Sequence, residues 1–424
     1  MISRLRGTYD ILPADIDYWH FVEEKARDLF DNANYAEMRT PIIEQKELFQ
    51  KGVGQSTDIV NKEMYSFQDQ GKRNLVLRPE GTAGIARSFI QNKLYNTKNI
   101  NKIWYKGPMF RYERPQNGRQ RQFNQLGVEC LGVKDPQIDA EVIAMAYNLL
   151  LSLNIGDFRL EINNIGDSSA RQLYSKELTQ YLIPYQSQLD SDSVQRLSTN
   201  PLRILDSKSV PTQNLLINAP NLFDYISSNS KQHFETLCCY LNALKIPYTI
   251  NHRLVRGLDY YSDTAFEFKT DLLGGQDTIC GGGRYDSLIT NLDGPHTPAI
   301  GWAIGIERLL ILVKKNYSIP KKSLDFYIIS DNILRCKIEA IVLFNHLTTK
   351  HNVKVEVDMT ESTIRKKIKR AYKSNSYYCL IIGENEASKG RITVKNLINN
   401  EEKCMHMDHF LYKSDPSSFQ FEKV

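Results

Sequence analysis

The sequence predicts an α+β protein of two or three domains, with alternating strands and helices in the larger part of the chain. The length of 424 residues exceeds one ordinary core, since domains commonly have about 100–150 residues. Strand-like and helical segments alternate, and two of the strands form a hairpin. Toward the carboxyl end, short apolar runs separated by helical segments are typical of a small α/β domain.

The composition is that of a folded protein with reduced cysteines. Hydrophobic residues make up 41% of the chain and charged residues 24%, which excludes a disordered or collagen-like protein. The net charge is only +5, so a nucleic-acid surface requires local clustering of basic residues. The seven cysteines form no Cys-x-x-Cys pair, and the eight histidines lack metal-ligand spacing. We therefore expect neither a disulfide framework nor a metal site built from side-chain clusters.

The N-terminal residues lack an apolar signal core, and no apolar run approaches the roughly 20 residues that span a bilayer. We therefore expect a cytoplasmic protein that does not enter a membrane.

The first predicted elements are a helix and a strand. Apolar residues with helical spacing follow the possible caps Asp15–Asp17: they are Trp19, Val22, Ala26, Leu29 and Phe30. The segment Glu37–Glu44 has the pattern of a short strand, in which Pro41 cannot donate a hydrogen bond. This strand is predicted to lie at an edge or an interface.

The whole chain is predicted to divide into four parts. Strands are expected near residues 75–77, 103–113, 122–132 and 158–163. Polar helical sequence follows from 167 to 244, and strand-like sequence returns from 246 to 268, before a glycine-rich turn and a further strand and helix. A linker is predicted at Pro320–Ser323, before strands at 326–329, 354–357 and 378–383. The predicted parts are a first core segment 1–168, a helical insertion 169–245, a second core segment 246–318 and a terminal α/β domain 323–424.

The stretch Phe110–Glu129 carries the strongest chemical signal. Residues two apart share one face of a strand, so Gln125 and Glu129 are expected to face one way and Val128 the other. The pattern predicts a hairpin with an apolar face for the core and a polar face for a cleft. Its loop contains Arg114, Arg119 and Arg121, whose guanidinium groups suit phosphate oxygens. A solvated hairpin with surface ion pairs is the alternative interpretation.

Four motifs give the chain a family resemblance. Phe110-Arg111-Tyr112-Glu113 with its basic loop resembles the second signature of class II aminoacyl-tRNA synthetases. The strand around Pro41 resembles the first signature, and Gly301–Arg308 resembles the third. Leu77–Thr82 and Val255–Tyr261 resemble the histidyl-tRNA synthetases in particular. The resemblance covers nearly the whole chain and implies the class II antiparallel sheet, a helical insertion and a C-terminal anticodon-binding α/β domain.

The resemblance implies an ATP-dependent histidine–tRNA ligase. Such an enzyme converts L-histidine and ATP to histidyl-adenylate and pyrophosphate, and then transfers histidine to the 3′ end of tRNA(His). Arg111 and Arg256 are implied as catalytic residues at the α-phosphate, with Mg²⁺ as the accompanying ion. The implied ATP-binding residues are Arg111, Glu113, Arg119 and Arg308. Gly301 and Gly305 would permit close approach of the nucleotide, although tight packing of strand on helix is an alternative reason for these glycines.

Histidine recognition needs acceptors for the ammonium group and partners for the imidazole. By resemblance, Glu80, Thr82 and Gln125 hold the α-amino group, while Glu129 and Tyr261 address the ring. Cys280–Asp286 is interpreted as a glycine-rich turn that places Tyr285 on the pocket wall. The full implied set is Glu80, Thr82, Gln125, Glu129, Arg256, Tyr260, Tyr261 and Tyr285.

The expected partners are tRNA(His), L-histidine, ATP and a second copy of the chain, with neither DNA nor membrane. The homodimer is implied through the Pro41 region. The basic segment Ile364–Lys373 is predicted to be a helix of the anticodon-binding domain, although a solvated basic face is the alternative. The predicted tRNA contacts are Arg114, Gln116, Arg121, Arg365 and Lys369.

Two other functions compete with this interpretation. The synthetase-like regulatory subunit of ATP phosphoribosyltransferase typically lacks the anticodon domain and the intact Arg256–Tyr261 signature, both of which this chain has. Synthetases for threonine, proline or glycine are disfavoured by Val255–Tyr261 and by the pair Glu129 and Tyr261. Ser262-Asp263 departs from the Thr-Gly of many family members and is expected to alter only local loop geometry.

Overall fold

The structure, a computed structural model, describes residues 2–54, 57–116, 118–274, 277–319, 323–350 and 353–412. Contacts between Cα atoms divide the chain into two units, Met1–Ser318 and Ile319–Val424. Residues 320–322 of the predicted linker lie outside the described residues, as do residues 413–424 at the end of the predicted terminal domain.

The first unit is built on a large, mostly antiparallel sheet. Its strands, together with those of a smaller sheet, are β1 Ala36–Glu37, β2 Ile43–Gln45, β3 Ser66–Gln68, β4 Asn74–Leu77, β5 Asn101–Phe110, β6 Gln122–Leu131, β7 Arg159–Asn164, β8 Thr249–Ile250, β9 Ser262–Lys269, β10 Thr278–Arg284 and β11 Ala299–Gly305. The large sheet has the order β1-β5-β6-β11-β10-β9-β7-β8, and the small one has the order β2-β4-β3. Within the large sheet, the neighbouring strands β5, β6, β11, β10, β9 and β7 are all paired antiparallel. The two edge pairs, β1–β5 and β7–β8, are parallel.

Helices flank the large sheet. They are α1 Ile16–Asn32, α2 Lys46–Gly52, α3 Thr82–Gln91, α4 Pro136–Ser152, α5 Ser168–Leu182, α6 Ser191–Thr199, α7 Val210–Leu216, α8 Ser228–Ala243, α9 Leu288–Asn291 and α10 Ile306–Asn316. The predicted α+β class is confirmed, and helices α5–α8 form the expected helical insertion between β7 and β8. The insertion begins at a strong cap, because the Asp167 carboxylate accepts a hydrogen bond from Ala170 N at 2.8 Å.

The two faces of β6 have different neighbours, as its alternation predicts. Leu126, Val128 and Cys130 belong to a buried core that includes Trp104 and Trp302. The intervening residues Gln125, Gly127 and Glu129 turn to the opposite face, where a cleft lies. A period-two sequence pattern thus separates a core face from a functional face.

Three predicted strands are shorter than expected. Residues 38–42 separate β1 from β2, since Pro41 cannot donate to a ladder and restricts the residue before it. Strand β5 ends at Phe110, so Arg111 and Glu113 lie in the loop rather than on the strand. The predicted strand 246–268 is also wrong over 251–261, which are irregular, so Arg256 projects from a loop.

The predicted glycine-rich turn is wrong as well, because Gly281–Gly283 lie inside β10 in the centre of the sheet. A Cβ on Gly281 would lie 2.2 Å from Nη2 of Arg256, and one on Gly282 would lie 2.4 Å from the carbonyl oxygen of Gly301. These glycines therefore admit a neighbouring side chain and backbone rather than turn the chain.

The second unit is a small α/β domain. Its elements are β12 Leu324–Ser330, α11 Leu334–Lys350, β13 Val355–Val357, α12 Ile364–Lys373, β14 Ser376–Ile382, α13 Glu384–Ser388, β15 Arg391–Asn396, β16 Glu402–His406 and α14 Met407–Tyr412. The sheet order is β13-β12-β14-β15-β16. Strand β12 pairs in parallel with β13 and β14, and the other pairs are antiparallel. The predicted partly parallel sheet is confirmed.

Candidate active site

One cleft in the first unit collects all the residues predicted for ATP, histidine and catalysis. The lining residues from that set are Glu80, Thr82, Arg111, Glu113, Arg119, Gln125, Glu129, Arg256, Tyr260, Tyr261, Tyr285 and Arg308. They come from segments as far apart in sequence as the start of α3 and the first turn of α10. The sheet face formed by β6, β10 and β11 brings these segments together.

One end of the cleft is built around the buried carboxyl group of Glu129, which is 1% exposed. Thr82 Oγ1 donates to Glu129 Oε1 at 2.7 Å, and the Tyr285 hydroxyl donates to Glu129 Oε2. Burial raises the pKa of Glu129 to about 8, and the negative charge of Glu80 acts in the same direction. A carboxyl group with this pKa is mainly neutral at pH 7.

Gly301 makes room for this carboxyl group. A Cβ at position 301 would lie 1.8 Å from Glu129 Oε2 and 2.4 Å from the Val128 carbonyl oxygen. From the sequence, Gly301 is expected to make room for the nucleotide. The structure gives a different reason for this glycine, because the Glu129 carboxyl group occupies the space that a side chain would need. Gly305 differs, because a Cβ there would meet nothing within 4 Å.

Glu80 and Gln125 present acceptors beside Glu129. The Glu80 carboxylate accepts from Thr82 N and from Ala83 N, both at 2.8 Å, and so holds the first turn of α3. Burial raises the pKa of Glu80. Oε1 of Gln125 is buried and has no hydrogen-bond partner among the described residues. A buried acceptor without a donor favours a ligand that brings one.

Three tyrosines close this end of the cleft. The ring centroids of Tyr260 and Tyr261 are 4.7 Å apart, and those of Tyr260 and Tyr285 are 5.5 Å apart. All three side chains are at most 5% exposed. Aromatic rings with hydroxyl groups provide both an apolar wall and hydrogen-bonding ends for a planar polar ligand.

A second group of lining residues, which we call the arginine end, is cationic and comprises Arg111, Arg119 and Arg308. Arg111 donates from Nε to the Pro79 carbonyl oxygen at 2.8 Å, and burial lowers its pKa. Arg308 donates from Nη1 to the Thr278 carbonyl oxygen at 2.6 Å. Its pKa is lowered by burial and by the positive charges of Arg119 and Arg111. Three cations that repel one another in a partly dry site favour a polyanionic ligand.

Arg256 also lines the cleft and lies beside Tyr261. Burial is the largest single influence and lowers the pKa of Arg256, but Glu267, Tyr261 and Cys280 together outweigh it, so the pKa is raised. The Arg256 and Glu267 side chains form a direct ion pair, and the guanidinium carbon lies 5.6 Å from the Tyr261 ring centroid. Arg256 therefore stays charged and is held in place in the cleft lining by Glu267.

Sequence reasoning missed Glu267 and Glu307. Glu267 alternates with the buried Phe266 and Phe268 of β9, and this alternation could have placed it on the cleft face. Glu307 lines the cleft and accepts hydrogen bonds from Asn124 N at 2.8 Å and from the Tyr9 hydroxyl at 3.1 Å. No local sequence pattern signals either of these long-range bonds.

The predicted tRNA contacts do not line the cleft. Arg114 and Gln116 are exposed on the hairpin loop, and the Arg121 guanidinium lies 3.9 Å from the Tyr112 ring centroid. In the second unit, Arg365 and Lys369 are exposed on α12. Two other basic residues of this helix have structural contacts. Lys367 Nζ donates to the Ser330 carbonyl oxygen at 2.8 Å, and Arg370 Nε donates to Asp358 Oδ2 at 2.7 Å.

The structure also explains how aspartate is accommodated at position 263, where many family members have glycine. Asp263 has φ +49°, in the left-handed region, which suits glycine best but tolerates aspartate. Its Oδ1 accepts from Ser230 Oγ at 2.6 Å, a bond to helix α8 that glycine could not make. Aspartate therefore keeps the left-handed backbone conformation at the start of β9 and adds a bond to the insertion.

Comparisons with known proteins settle the family. The family model described as histidyl-tRNA synthetase matches residues 7–309, and the anticodon-binding domain model matches residues 335–413. The chain belongs to the histidyl-tRNA synthetase family. The resemblance drawn from the motifs is confirmed, and the protein is an aminoacyl-tRNA synthetase.

Similar relatives extend over nearly the whole chain. The chloroplastic histidine–tRNA ligase of Pyropia yezoensis is 50% identical over 402 residues, which cover 95% of this chain and 93% of the relative. The histidine–tRNA ligase of Cyanothece sp. strain PCC 7425 is 50% identical over 415 residues, covering 98% and 96% of the two chains. The apo structure of histidyl-tRNA synthetase from S. aureus matches with a TM-score of 0.80 and 36% identity, over 97% of this chain and 99% of that one.

The alternative function, a regulatory subunit of ATP phosphoribosyltransferase, is supported only by a similarity of fold. A Bacillus halodurans structure titled as an ATP phosphoribosyltransferase regulatory subunit/histidyl-tRNA synthetase matches with a TM-score of 0.65 and 20% identity, over 90% of this chain and 98% of that one. Among the described residues, no helix is long and apolar enough to cross a membrane.

Proposed function

We propose that the cleft activates L-histidine with ATP and that the resulting histidyl-adenylate is transferred to the 3′ end of tRNA(His). The observation that carries the proposal is the division of one cleft into a carboxyl–tyrosine end and an arginine end. A histidine carries an ammonium and an imidazole, whereas ATP carries several negative charges. The two ends are complementary to these two substrates.

At the histidine end, Gln125 Oε1 and the Glu80 carboxylate are positioned to accept from the ammonium group, with Thr82 beside them. Glu129 and Tyr261 are the proposed partners of the imidazole ring, while Tyr260 and Tyr285 form the wall. An apolar amino acid in this place would leave buried polar groups without partners. Rejection on that basis is strong, because an unpaired buried group costs about 1–3 kcal/mol.

At the ATP end, Arg111 and Arg308 are the proposed phosphate ligands, with Glu113 and Arg119 at the outer side. Arg256 contacts the α-phosphate in this proposal, where negative charge builds up as the histidine carboxylate attacks in line and pyrophosphate leaves. Positioning and charge stabilisation then provide most of the rate, and no covalent enzyme intermediate is required.

The described residues contain no group of three or more His, Cys, Asp or Glu side chains that could hold a metal ion. Mg²⁺ at nucleotide sites is usually bound through substrate phosphates and one or two carboxylates, and we propose that the ATP phosphates supply most of its ligands in this cleft. When bound, Mg²⁺ would neutralise phosphate charge beside Arg111 and Arg256.

The transfer step needs a surface for tRNA in each unit. In the first unit, we propose the exposed hairpin loop with Arg114, Gln116 and Arg121 for the acceptor stem. In the second, we propose Arg365 and Lys369 of α12, which are exposed and therefore available to RNA phosphates. We retain 169–245 and 323–424 as the proposed bounds of the insertion and the anticodon-binding domain.

Dimerisation is also part of the proposal. Strand β2 lies at an edge of the small sheet, and the neighbouring Ile42 and Ile43 are 41% and 49% exposed. An exposed apolar edge strand beside Pro41 is suited to a second copy of the chain. Sedimentation at low micromolar concentration tests this point, and a monomer would contradict it.

We propose a cytoplasmic location, although similar relatives include both proteins named chloroplastic and proteins named without a compartment. Cell fractionation with immunoblotting tests the location. The function itself is tested by charging total tRNA with labelled histidine. Acid-precipitable histidine that depends on ATP supports the proposal, whereas histidine binding without charging would favour a regulatory role.

A further inference from the structure

The N-terminal segment Arg4–Tyr9 lies directly against the hairpin loop. The carbonyl oxygen of Gly7 accepts hydrogen bonds from Arg121 N at 2.8 Å and from Gln122 N at 3.2 Å. Gly7 has φ +87°, and a Cβ there would lie 2.7 Å from Cγ of Arg121. The segment and the loop are therefore in contact at a position that suits glycine alone.

A second contact fixes the segment on its other side. The Tyr9 hydroxyl donates to Glu307 Oε1 at 3.1 Å, and the same carboxylate accepts from Asn124 N at 2.8 Å. Thr8 N donates to the Leu5 carbonyl oxygen at 3.1 Å and closes a turn that runs from Leu5 to Thr8 and includes the first anchor, Gly7. The position of Arg6 in this turn is thus set by its bonded neighbours rather than left to a free chain end.

The segment adds two cations to the surface of the loop. Arg4 and Arg6 are exposed, like Arg114 on the loop. No ion pair between described residues involves Arg4, Arg6 or Arg114. By contrast, the nearby Arg119 is paired with Glu113. The exposed guanidinium groups thus form a basic surface outside the cleft, where they remain available to an external anion.

We propose that Arg4 and Arg6 bind backbone phosphates at the acceptor end of the tRNA, as an extension of the loop surface formed by Arg114, Gln116 and Arg121. The inference rests on the proposed function of the loop. Two features favour RNA as the occupant: the surface is continuous with that loop, and its charge is complementary to closely spaced phosphates. Arginine suits such contacts, and binding to phosphates releases condensed counterions.

The test is the double variant Arg4→Ala/Arg6→Ala in the full chain. We expect the KM for tRNA in histidine charging to rise about 10-fold, because two phosphate contacts are lost. The plot of log kcat/KM against log salt should become shallower by about 1–2. Histidine-dependent ATP–pyrophosphate exchange, which needs no tRNA, should stay within about twofold of the unaltered protein. A minihelix with only the acceptor stem and T arm should show the same rise in KM.

Matched variants separate side-chain charge from backbone support. Lys25→Ala/Arg27→Ala removes the same charge from exposed positions of α1 and should change neither reaction. Arg4→Lys/Arg6→Lys should restore most of the tRNA affinity. Gly7→Ala should impair exchange and charging together, because it displaces Arg121 and with it the loop that carries Arg119, a residue of the cleft lining.

Each contrary result overturns the inference. A parallel loss of exchange in Arg4→Ala/Arg6→Ala would mean that the segment supports the cleft. An unchanged KM, a normal KM with the minihelix, or an equal defect in Lys25→Ala/Arg27→Ala would exclude a specific acceptor-end contact. Absence of histidine-dependent exchange in the unaltered protein is a different result, since it would contradict the proposed function itself.

Discussion

The two ends of the cleft differ in how their charges are satisfied. At the carboxyl–tyrosine end, Glu129 accepts two hydrogen bonds from hydroxyl groups and burial leaves it mainly neutral at pH 7. At the arginine end, Arg111 and Arg308 remain cations that repel each other. The first end is organised before a ligand arrives, whereas the second keeps an excess of positive charge. We infer that histidine is recognised mainly by shape and hydrogen bonds, and ATP mainly by charge.

The largest effect on ATP–pyrophosphate exchange is expected from the loss of Arg256. Arg256→Ala should lower kcat/KM for histidine-dependent ATP–pyrophosphate exchange by about 10²–10³-fold, the usual loss for a transition-state donor. Arg159→Ala is the matched control, because Arg159 forms ion pairs on the same sheet but does not line the cleft. Exchange within threefold of the unaltered protein would remove Arg256 from the catalytic role.

The second-largest effect is expected at Glu129, and it shows whether histidine binding can be weakened without weakening ATP binding. Glu129→Ala should raise the KM for histidine about 10- to 100-fold and change the KM for ATP less than about twofold, since a buried hydrogen-bond partner is lost at one end only. Glu141→Ala is the control, because Glu141 also accepts from a tyrosine, Tyr35, at 2.9 Å but lies outside the cleft. Equal increases in both KM values would show that Glu129 supports the whole cleft.

A smaller effect is expected at the outer side of the arginine end. The Arg119 side chain is 39% exposed, compared with 20% for Arg111, so solvent screens its charge more strongly. Arg119→Ala should raise the KM for ATP by about three- to tenfold, and Arg111→Ala should impair exchange more severely. A larger loss of exchange in Arg119→Ala than in Arg111→Ala would contradict this prediction.

The smallest effect concerns stability and pH. Glu129 has a folded-state pKa of about 8, above its ordinary value of 4.5, so the stability of the folded protein falls as the pH rises from about 4.5 to about 8 and loses nothing further from this group above 8. Glu129→Gln should therefore raise Tm relative to the unaltered protein more at pH 9 than at pH 6, by at least about 2 °C. Ligand-free thermal melts measure this difference, and Glu141→Gln controls for general effects of pH. A difference independent of pH would contradict the raised pKa.

The sequence predicted the features that leave a local periodic mark. The alternation of Leu126, Val128 and Cys130 with Gln125, Gly127 and Glu129 placed a core face and a cleft face correctly. The basic helix at Ile364–Lys373 was also correct. The full set of cleft residues came from family motifs, because nothing local in the sequence brings Glu80 and Arg308 together.

The failures share a physical cause, which is contact between residues distant in sequence. Val255–Tyr261 has the texture of a strand, yet Arg256 is held in a loop by Glu267. Gly281–Gly283 look like a turn, yet they are glycines because Arg256 and the backbone of β11 need their space. Glu307 likewise gains its position from Tyr9 and Asn124.

The most direct test of the cleft's two-ended recognition is ATP–pyrophosphate exchange with each of the twenty amino acids in turn. The account predicts exchange with histidine alone, because only histidine satisfies both the ammonium acceptors and the buried Glu129–Tyr261 pair. Comparable exchange with threonine, proline or glycine, or no exchange with any amino acid, would contradict it.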